Sequence, residues 1–144
     1  MPDQSEADAI RVVRDFLGAL ERLDVEGAMA LTTPDVVYQN VPLPPAKGTA
    51  AVERTLRWMT RYGTGFEVEY HNVAASGGTV LTERTDVLIA GRVRAAFWVC
   101  GTFEVRDGKI ALWRDRFDWV DLARAFVWGG VRALVDLARE RTRS

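Results

Sequence analysis

Three charged side chains fall where a half-buried strand ought to carry apolar ones, and their types suit acid–base chemistry. In the run Lys109 to Val120, the face holding Ala111, Trp113 and Phe117 also holds Asp115, a carboxylate bracketed by aromatics, while Arg114, Arg116 and Asp118 alternate outward. In Thr79 to Ala90, Val80, Thr82, Arg84, Asp86 and Leu88 share one face, which sets a guanidinium and a carboxylate side by side. Two carboxylates bridged by one guanidinium form a fixed, net-negative cluster whose acids can hold different protonation states, so an acid–base pair becomes available. Tyr38 and Asn40 share a face of a third, short strand and add a hydroxyl and an amide suited to holding a water molecule. Each signal also has a purely structural reading. Arg84, Asp86 and Asp115 suit a plain ion-pair cluster, Leu81, Thr85 and Val87 compete for the inner face, and Tyr-x-Asn before a proline loop suits packing and turn chemistry.

The elements that must position these groups follow from periodicity. Ile10, Val13, Phe16, Leu17 and Leu20 fall at helical spacing between Glu6 and Leu23, with Ser5 placed to cap. A short helix is expected from Val25 to about Leu31 after an Asp24 cap, with Pro34 just beyond its end. Asp35 to Val41 reads as a strand stopped by Pro42, the stretch from Pro42 to Gly48 as a stiff loop, and Ala50 to about Arg61 as a helix through Val52, Leu56 and Met59. Four strand-like runs follow, about Gly65 to Ala75, Thr79 to Ala90, Arg92 to Arg106 and Lys109 to Val120. Ser76-Gly77-Gly78, Ala90-Gly91 and Asp107-Gly108 separate them as hairpin turns. From Val120 a helical pattern resumes, interrupted at Gly129-Gly130, and ends in the charged segment Ala138 to Ser144. The pattern predicts an α+β fold: a curved mixed or antiparallel sheet with three helices on its concave side, forming a cone with a deep apolar pocket.

Composition narrows the function classes. The 144 residues fit one domain, 1–144, with a helical extension over about 120–144. Five Trp and six Phe offer apolar surface to line a pocket, and 19 basic against 20 acidic residues leave nothing to draw the chain towards nucleic acid. The single cysteine, Cys100, excludes an intramolecular disulfide and, flanked by Phe97-Trp98-Val99, reads as a buried small hydrophobe. One histidine and scattered acids offer no metal-ligand spacing, and no nucleotide loop occurs, so neither metal nor cofactor is expected. The N-terminus, Met1-Pro2-Asp3-Gln4-Ser5-Glu6, lacks the pattern of a signal peptide, and no window reaches the ~20 apolar residues of a membrane span. A cytoplasmic protein without stable membrane insertion is expected.

Three segments taken together resemble one family. Tyr38-Gln39-Asn40-Val41-Pro42-Leu43-Pro44-Pro45, Leu81-Thr82-Glu83-Arg84-Thr85-Asp86-Val87-Leu88, and Gly108-Lys109-Ile110 through Trp113-Arg114-Asp115-Arg116-Phe117-Asp118 are similar, in that order, to the limonene-1,2-epoxide hydrolases of the nuclear transport factor 2-like superfamily. The resemblance spans the chain from the first helix to about Phe126 and points to an actinobacterial member. It implies that Asp115 is the general base that activates water, that Tyr38 and Asn40 hold that water, and that Asp86 is the general acid that protonates the epoxide oxygen. Arg84 would bridge both carboxylates and set their charge states. The resemblance further implies one concerted step without a covalent intermediate, a homodimer, and a lipophilic terpene, steroid or other lipid epoxide as substrate, opened to a vicinal diol.

Elementary chemistry agrees, because opening an epoxide needs attack on carbon together with proton delivery to the leaving oxygen. An α/β-hydrolase route would need an Asp nucleophile and a His base, and the lone His71 lies in a strand with no nucleophile elbow nearby, where it reads as a surface or packing residue. Two departures from the family bear on the pocket mouth and the dimer surface: a short hairpin between Leu88 and Phe97, and the continuation beyond Phe126 into an additional helix. Two other functions compete. A non-catalytic lipid-binding module would not need all five polar residues. A ketosteroid-isomerase-like enzyme needs a neutral acid as oxyanion donor, whereas the Arg84 bridge favours ionised carboxylates.

Overall fold

In the computed structural model, residues 3–143 are described, so Met1 and Pro2 of the N-terminal reading and Ser144 of the charged C-terminal segment lie outside the described residues. Helix α1 spans Gln4–Glu21 and begins at Asp3, whose carboxylate accepts from the Glu6 backbone N–H at 2.8 Å. Ser5, the expected cap, instead donates its hydroxyl to that carboxylate, since a charged acceptor suits the positive helix end better than a hydroxyl. Asp24 caps α2, Val25–Met29, as expected.

Strand β1, Thr32–Asn40, starts before Pro34 rather than at Asp35. Its pairing with a neighbouring strand shifts register between Thr32 and Val37, and in that irregular stretch a proline costs no regular ladder hydrogen bond. After β2, Ala46–Lys47, and α3, Thr49–Tyr62, come β3, Gly65–Ser76, β4, Thr79–Ala90, β5, Val93–Arg106, and β6, Lys109–Arg116. The six strands form one mixed sheet in the order β2-β1-β6-β5-β4-β3. From β3 to β6 it is the expected antiparallel meander, while β1 joins β6 in parallel.

Helix α1 crosses the inner face of β3 to β6, and α3 covers β1 and β2. Val13, Phe16 and Leu17 of α1 meet Val52 and Leu56 of α3 and Val80, Phe103, Ile110 and Trp113 of the sheet in one buried cluster. Each such side chain contributes about 1.5–3 kcal/mol on leaving water.

Four expectations need correction. In β6, Ile110 and Leu112 are buried, then Trp113 and Asp115, so the alternation slips by one residue and Ala111 does not share the face of Trp113. The cause is an irregularity in the β5–β6 ladder at Glu104/Val105, which re-aims the rest of the strand. The strand also ends at Arg116 rather than Val120, because Asp118 caps α4, Trp119–Thr142, through the Val120 and Asp121 amides. Finally, α4 runs unbroken through Gly129-Gly130. A Cβ at Gly129 would overlap the Arg94 carbonyl, so this glycine allows close packing of helix on strand. Cys100 is half-buried, not buried, since it alternates with Val99 towards the outer face of β5.

Candidate active site

The site is built from one row of residues across four strands. Thr82 on β4 pairs with Gly101 on β5, Gly101 with Asp115 on β6, and Asp115 with Asn40 on β1. Arg84 and Asp86 follow Thr82 on the same face of β4, while Leu81 points outward, which settles the face that periodicity left open. Arg84 therefore has to reach across β5 to meet Asp115 on β6, roughly 10 Å of sheet at ~4.8 Å per strand. Gly101 is the notch it passes through. A Cβ there would lie 2.5 Å from Arg84 Nη1, 2.8 Å from Thr82 Oγ1 and 2.9 Å from Asp115 Oδ1.

The guanidinium is 0% exposed and places four of its five N–H donors on neighbouring oxygens. Its Nε and Nη2 bind Asp86 Oδ1 and Oδ2 at 2.8 and 2.7 Å, a bidentate pair, Nη2 also binds Asp115 Oδ2 at 2.9 Å, and Nη1 donates to Thr82 Oγ1 at 3.2 Å. Both carboxylates are buried, and Asp115 Oδ1 has no hydrogen-bond partner. Burial raises the Asp115 carboxyl above its ordinary range, an effect that Arg84 offsets only in part and that the charge of Asp86 reinforces. Burial also disfavours the charged Arg84, but Asp115 and Asp86 outweigh it and hold the guanidinium above its ordinary value.

Tyr38 and Asn40 reach the same place. Asn40 Nδ2 donates to Tyr38 Oη at 2.9 Å, which leaves the phenolic hydrogen free to donate elsewhere, and the Tyr38 ring lies 4.0 Å from the Trp113 ring. Burial, with the charge of Asp115, keeps the Tyr38 hydroxyl protonated well beyond its usual range. The expected site residues are thus brought together: Tyr38, Asn40, Asp86 and Asp115 line one cavity of about 360 Å3, and Arg84 sits behind them. The walls are apolar, with Leu20, Leu56, Phe66, Phe97 and Phe117 among them, and α4 closes the mouth with Trp119, Leu122 and Phe126. Trp119 Nε1 donates to the Val41 carbonyl at 3.0 Å and anchors that end of α4. A wider groove between α4 and the outer face of β5 lies away from the carboxylates and is rimmed by Arg92, Arg94, Arg124 and Arg132.

Sequence reading missed Gly101, Thr82 as an Arg84 acceptor, and the mouth-lining face of α4. A glycine in the middle of a long strand was the available signal for the first, since it marks either a bulge or a close approach. His71 lies exposed, 2.7 Å from Thr85 Oγ1, and takes no part in the site. Among the described residues, no three of His, Cys, Asp and Glu come close enough to share a metal ion, and no helix is long and apolar enough to cross a membrane.

Comparison with known proteins places this geometry. Residues 7–128 match the model of the limonene-1,2-epoxide hydrolase catalytic domain. The chain is 45% identical over 123 residues to the epoxide hydrolase EphG of Mycobacterium tuberculosis, covering 85% of this chain and 82% of that protein. The solved structure of an LEH-like epoxide hydrolase of M. tuberculosis superposes with a TM-score of 0.84 at 44% identity, over 91% of this chain and 98% of the other. An NTF2-like protein from Burkholderia pseudomallei, 18% identical with a TM-score of 0.73 over 83% of this chain and 97% of its own, shares the fold alone. The family match spans β1, β4 and β6, the strands that carry the polar row, and on that basis the chain belongs to the limonene-1,2-epoxide hydrolase family.

Proposed function

We propose that the protein is an epoxide hydrolase that adds water to a compact lipophilic epoxide in one concerted step, working as a cytoplasmic homodimer without a cofactor. The observation that carries this reading is the pair of buried carboxylates on one buried guanidinium at the floor of an apolar cavity, with Asp115 Oδ1 as an open acceptor. A water there donates one hydrogen to Asp115 Oδ1 and the other to the Asn40 carbonyl, and accepts from Tyr38. One lone pair then remains for attack on carbon. Its oxygen bonds to the epoxide carbon as the C–O bond breaks, Asp115 takes the water proton, and Asp86 gives its proton to the leaving oxygen. The product is a vicinal diol, and the proton moves from Asp115 back to Asp86 to reset the site. Arg84 touches both acids, and its charge favours keeping one of them ionised.

Burial supports the base assignment, because a carboxylate raised above its ordinary range is a stronger proton acceptor once ionised. The cavity lies at the lower end of ligand pockets, roughly 300–1,000 Å3, and so favours a terpene-sized or linear lipid epoxide over a four-ring steroid. The test is diol formation in ¹⁸O-labelled water from terpene, fatty-acid and steroid epoxides under single-turnover conditions, with Asp115→Asn as control. Label in the diol at the first turnover supports direct attack by water, whereas an unlabelled diol with the ¹⁸O retained in an enzyme carboxylate points to a covalent enzyme ester and refutes it. If no epoxide is opened, a binding role replaces the catalytic one.

A further inference from the structure

The mouth of the apolar cavity carries large aromatic side chains that face water. On its α3 side Trp58 and Tyr62 line the cavity yet are 64 and 61% exposed, with their rings 5.3 Å apart. On its α4 side Trp119 and Phe126 are exposed as well. Exposed aromatics on both sides of one opening make a continuous rim, unlike apolar residues scattered singly over a surface. Helix α3 also sets cations beside this rim. Arg54, Arg57 and Arg61 fall with Trp58 and Tyr62 on the side of the helix opposite the buried Val52 and Leu56, and the three arginines line one shallow groove with Trp58. Arg57 is held by Glu53 at 2.7 Å. Among the described residues Arg54 and Arg61 make no ion pair, and the Arg61 guanidinium lies 5.8 Å from the centre of the Tyr62 ring.

We propose that this rim rests on an anionic lipid surface, so that a lipophilic substrate passes from the bilayer into the cavity without crossing water. The residue types select this occupant. Trp and Tyr, each with an apolar body and a polar handle, settle at the boundary between headgroups and acyl chains, and arginine reaches headgroup phosphates from there. An acidic protein would match the arginines, but it gives no reason for the aromatics to flank the entrance of an apolar cavity. The acids beside the rim are engaged elsewhere. Glu21, Asp24 and Asp118 accept from backbone amides, Glu67 binds Arg94, and Asp121 faces, with Arg124, the groove on the other side of α4. The contact is superficial and reversible, because two unpaired cations and a few aromatics anchor a protein only weakly, and salt screens the cations.

The inference rests on the reaction proposed above for what the surface delivers, but the docking itself is measured without substrate. The full chain is sedimented with sucrose-loaded vesicles of phosphatidylcholine alone and of phosphatidylcholine mixed with phosphatidylglycerol. Binding to the mixed vesicles should be about 30-fold tighter, the worth of two cations near an anionic surface, and should weaken as salt rises. Arg54→Glu/Arg61→Glu should lose that preference, and Trp58→Ala/Tyr62→Ala should weaken binding to both compositions, with circular dichroism checking that each variant is folded. The arginine variant should open an epoxide dissolved in water as fast as the unaltered chain, yet turn over an epoxide carried in mixed vesicles more slowly. No binding by the unaltered chain, equal binding to both compositions, or an arginine variant that keeps the preference overturns the proposal. An unaltered chain that binds mixed vesicles but opens no epoxide in water refutes the reaction and leaves the docking surface standing.

Discussion

Replacing Gly101 with alanine tests the whole construction with one methyl group. That methyl would stand 2.5 Å from Arg84 Nη1, 2.8 Å from Thr82 Oγ1 and 2.9 Å from Asp115 Oδ1, where carbon normally keeps about 3.5 Å from its neighbours. Arg84 cannot swing aside cheaply, because it is fully buried and tied to Asp86, Asp115 and Thr82. A retreat of roughly 1 Å stretches the bonds to Asp115 and Thr82 beyond useful length. Charge-assisted bonds are worth about 1.5–3 kcal/mol each, so the loss of the two amounts to about 3–6 kcal/mol of stability. For a chain of about 150 residues, at 2–4 °C per kcal/mol, Tm falls by roughly 6–24 °C. Misplacing the base and acid by this distance lowers kcat about 100-fold. Thermal unfolding and diol-formation kinetics on the same preparation measure both effects. A Gly101→Ala protein with unchanged Tm and kcat would show that Arg84 does not cross β5 at this point, and the reasoning that links the two acids would fail.

The other predictions follow from the same cluster and from α4. Arg84→Gln leaves two buried carboxylates without a cation, so stability should fall by about 3–5 kcal/mol and turnover should be lost, both measurable by denaturant unfolding and diol assay. Asp115→Asn should cut kcat by about 10²–10⁴-fold while leaving Tm at neutral pH unchanged or higher, because it removes a buried carboxylate whose Oδ1 has no partner. The sign follows from the raised Asp115 carboxyl: its contribution to stability is full at acid pH and is lost as pH rises through the folded-state value, and the asparagine variant should lack that loss. For the same reason kcat/KM should fall on the acid side with a midpoint above the ~3.9 of an ordinary aspartate, and a midpoint at or below that value would contradict the base assignment. Gly129→Ala should lift α4 from the Arg94 backbone and disturb Trp119, Leu122 and Phe126 at the mouth, raising KM with little change in kcat.

Much of the site was legible because its residues break a simple rule. Arg84 and Asp86, two apart in a run of strand-forming residues, and Asp115 between Trp113 and Phe117, are charges at inner positions, and the structure buries all three. Tyr38 and Asn40 were readable as a same-face pair by period two alone. What could not be read depends on neighbours far away in the chain. The irregularity at Glu104/Val105 shifts the phase of β6, so Ile110 enters the core where Ala111 was expected. The parallel pairing of β1 with β6, which sets Asn40 beside Asp115, has no local signature because 75 residues separate the two strand positions. Gly129 reads as a helix break in isolation, and only the Arg94 backbone beside it shows why a glycine belongs inside a continuous helix. Gly101 is the same lesson in the sheet.

The reach of Arg84 over Gly101 also acts as a register lock. Thr82, Gly101 and Asp115 stand opposite one another on β4, β5 and β6, so the guanidinium can cross only when the one residue without a side chain lies beneath it. Sliding β5 by two residues keeps its inner face inward and its hydrophobic pattern satisfied, yet it would put Val99 or Phe103 in the notch and cut Arg84 from Asp115. Sliding by one would turn the whole face outward. Hydrophobic burial thus rejects odd slips and the ion cluster rejects even ones, so the residues proposed to carry out catalysis also select, among closely similar sheets, the single strand alignment in which they can meet.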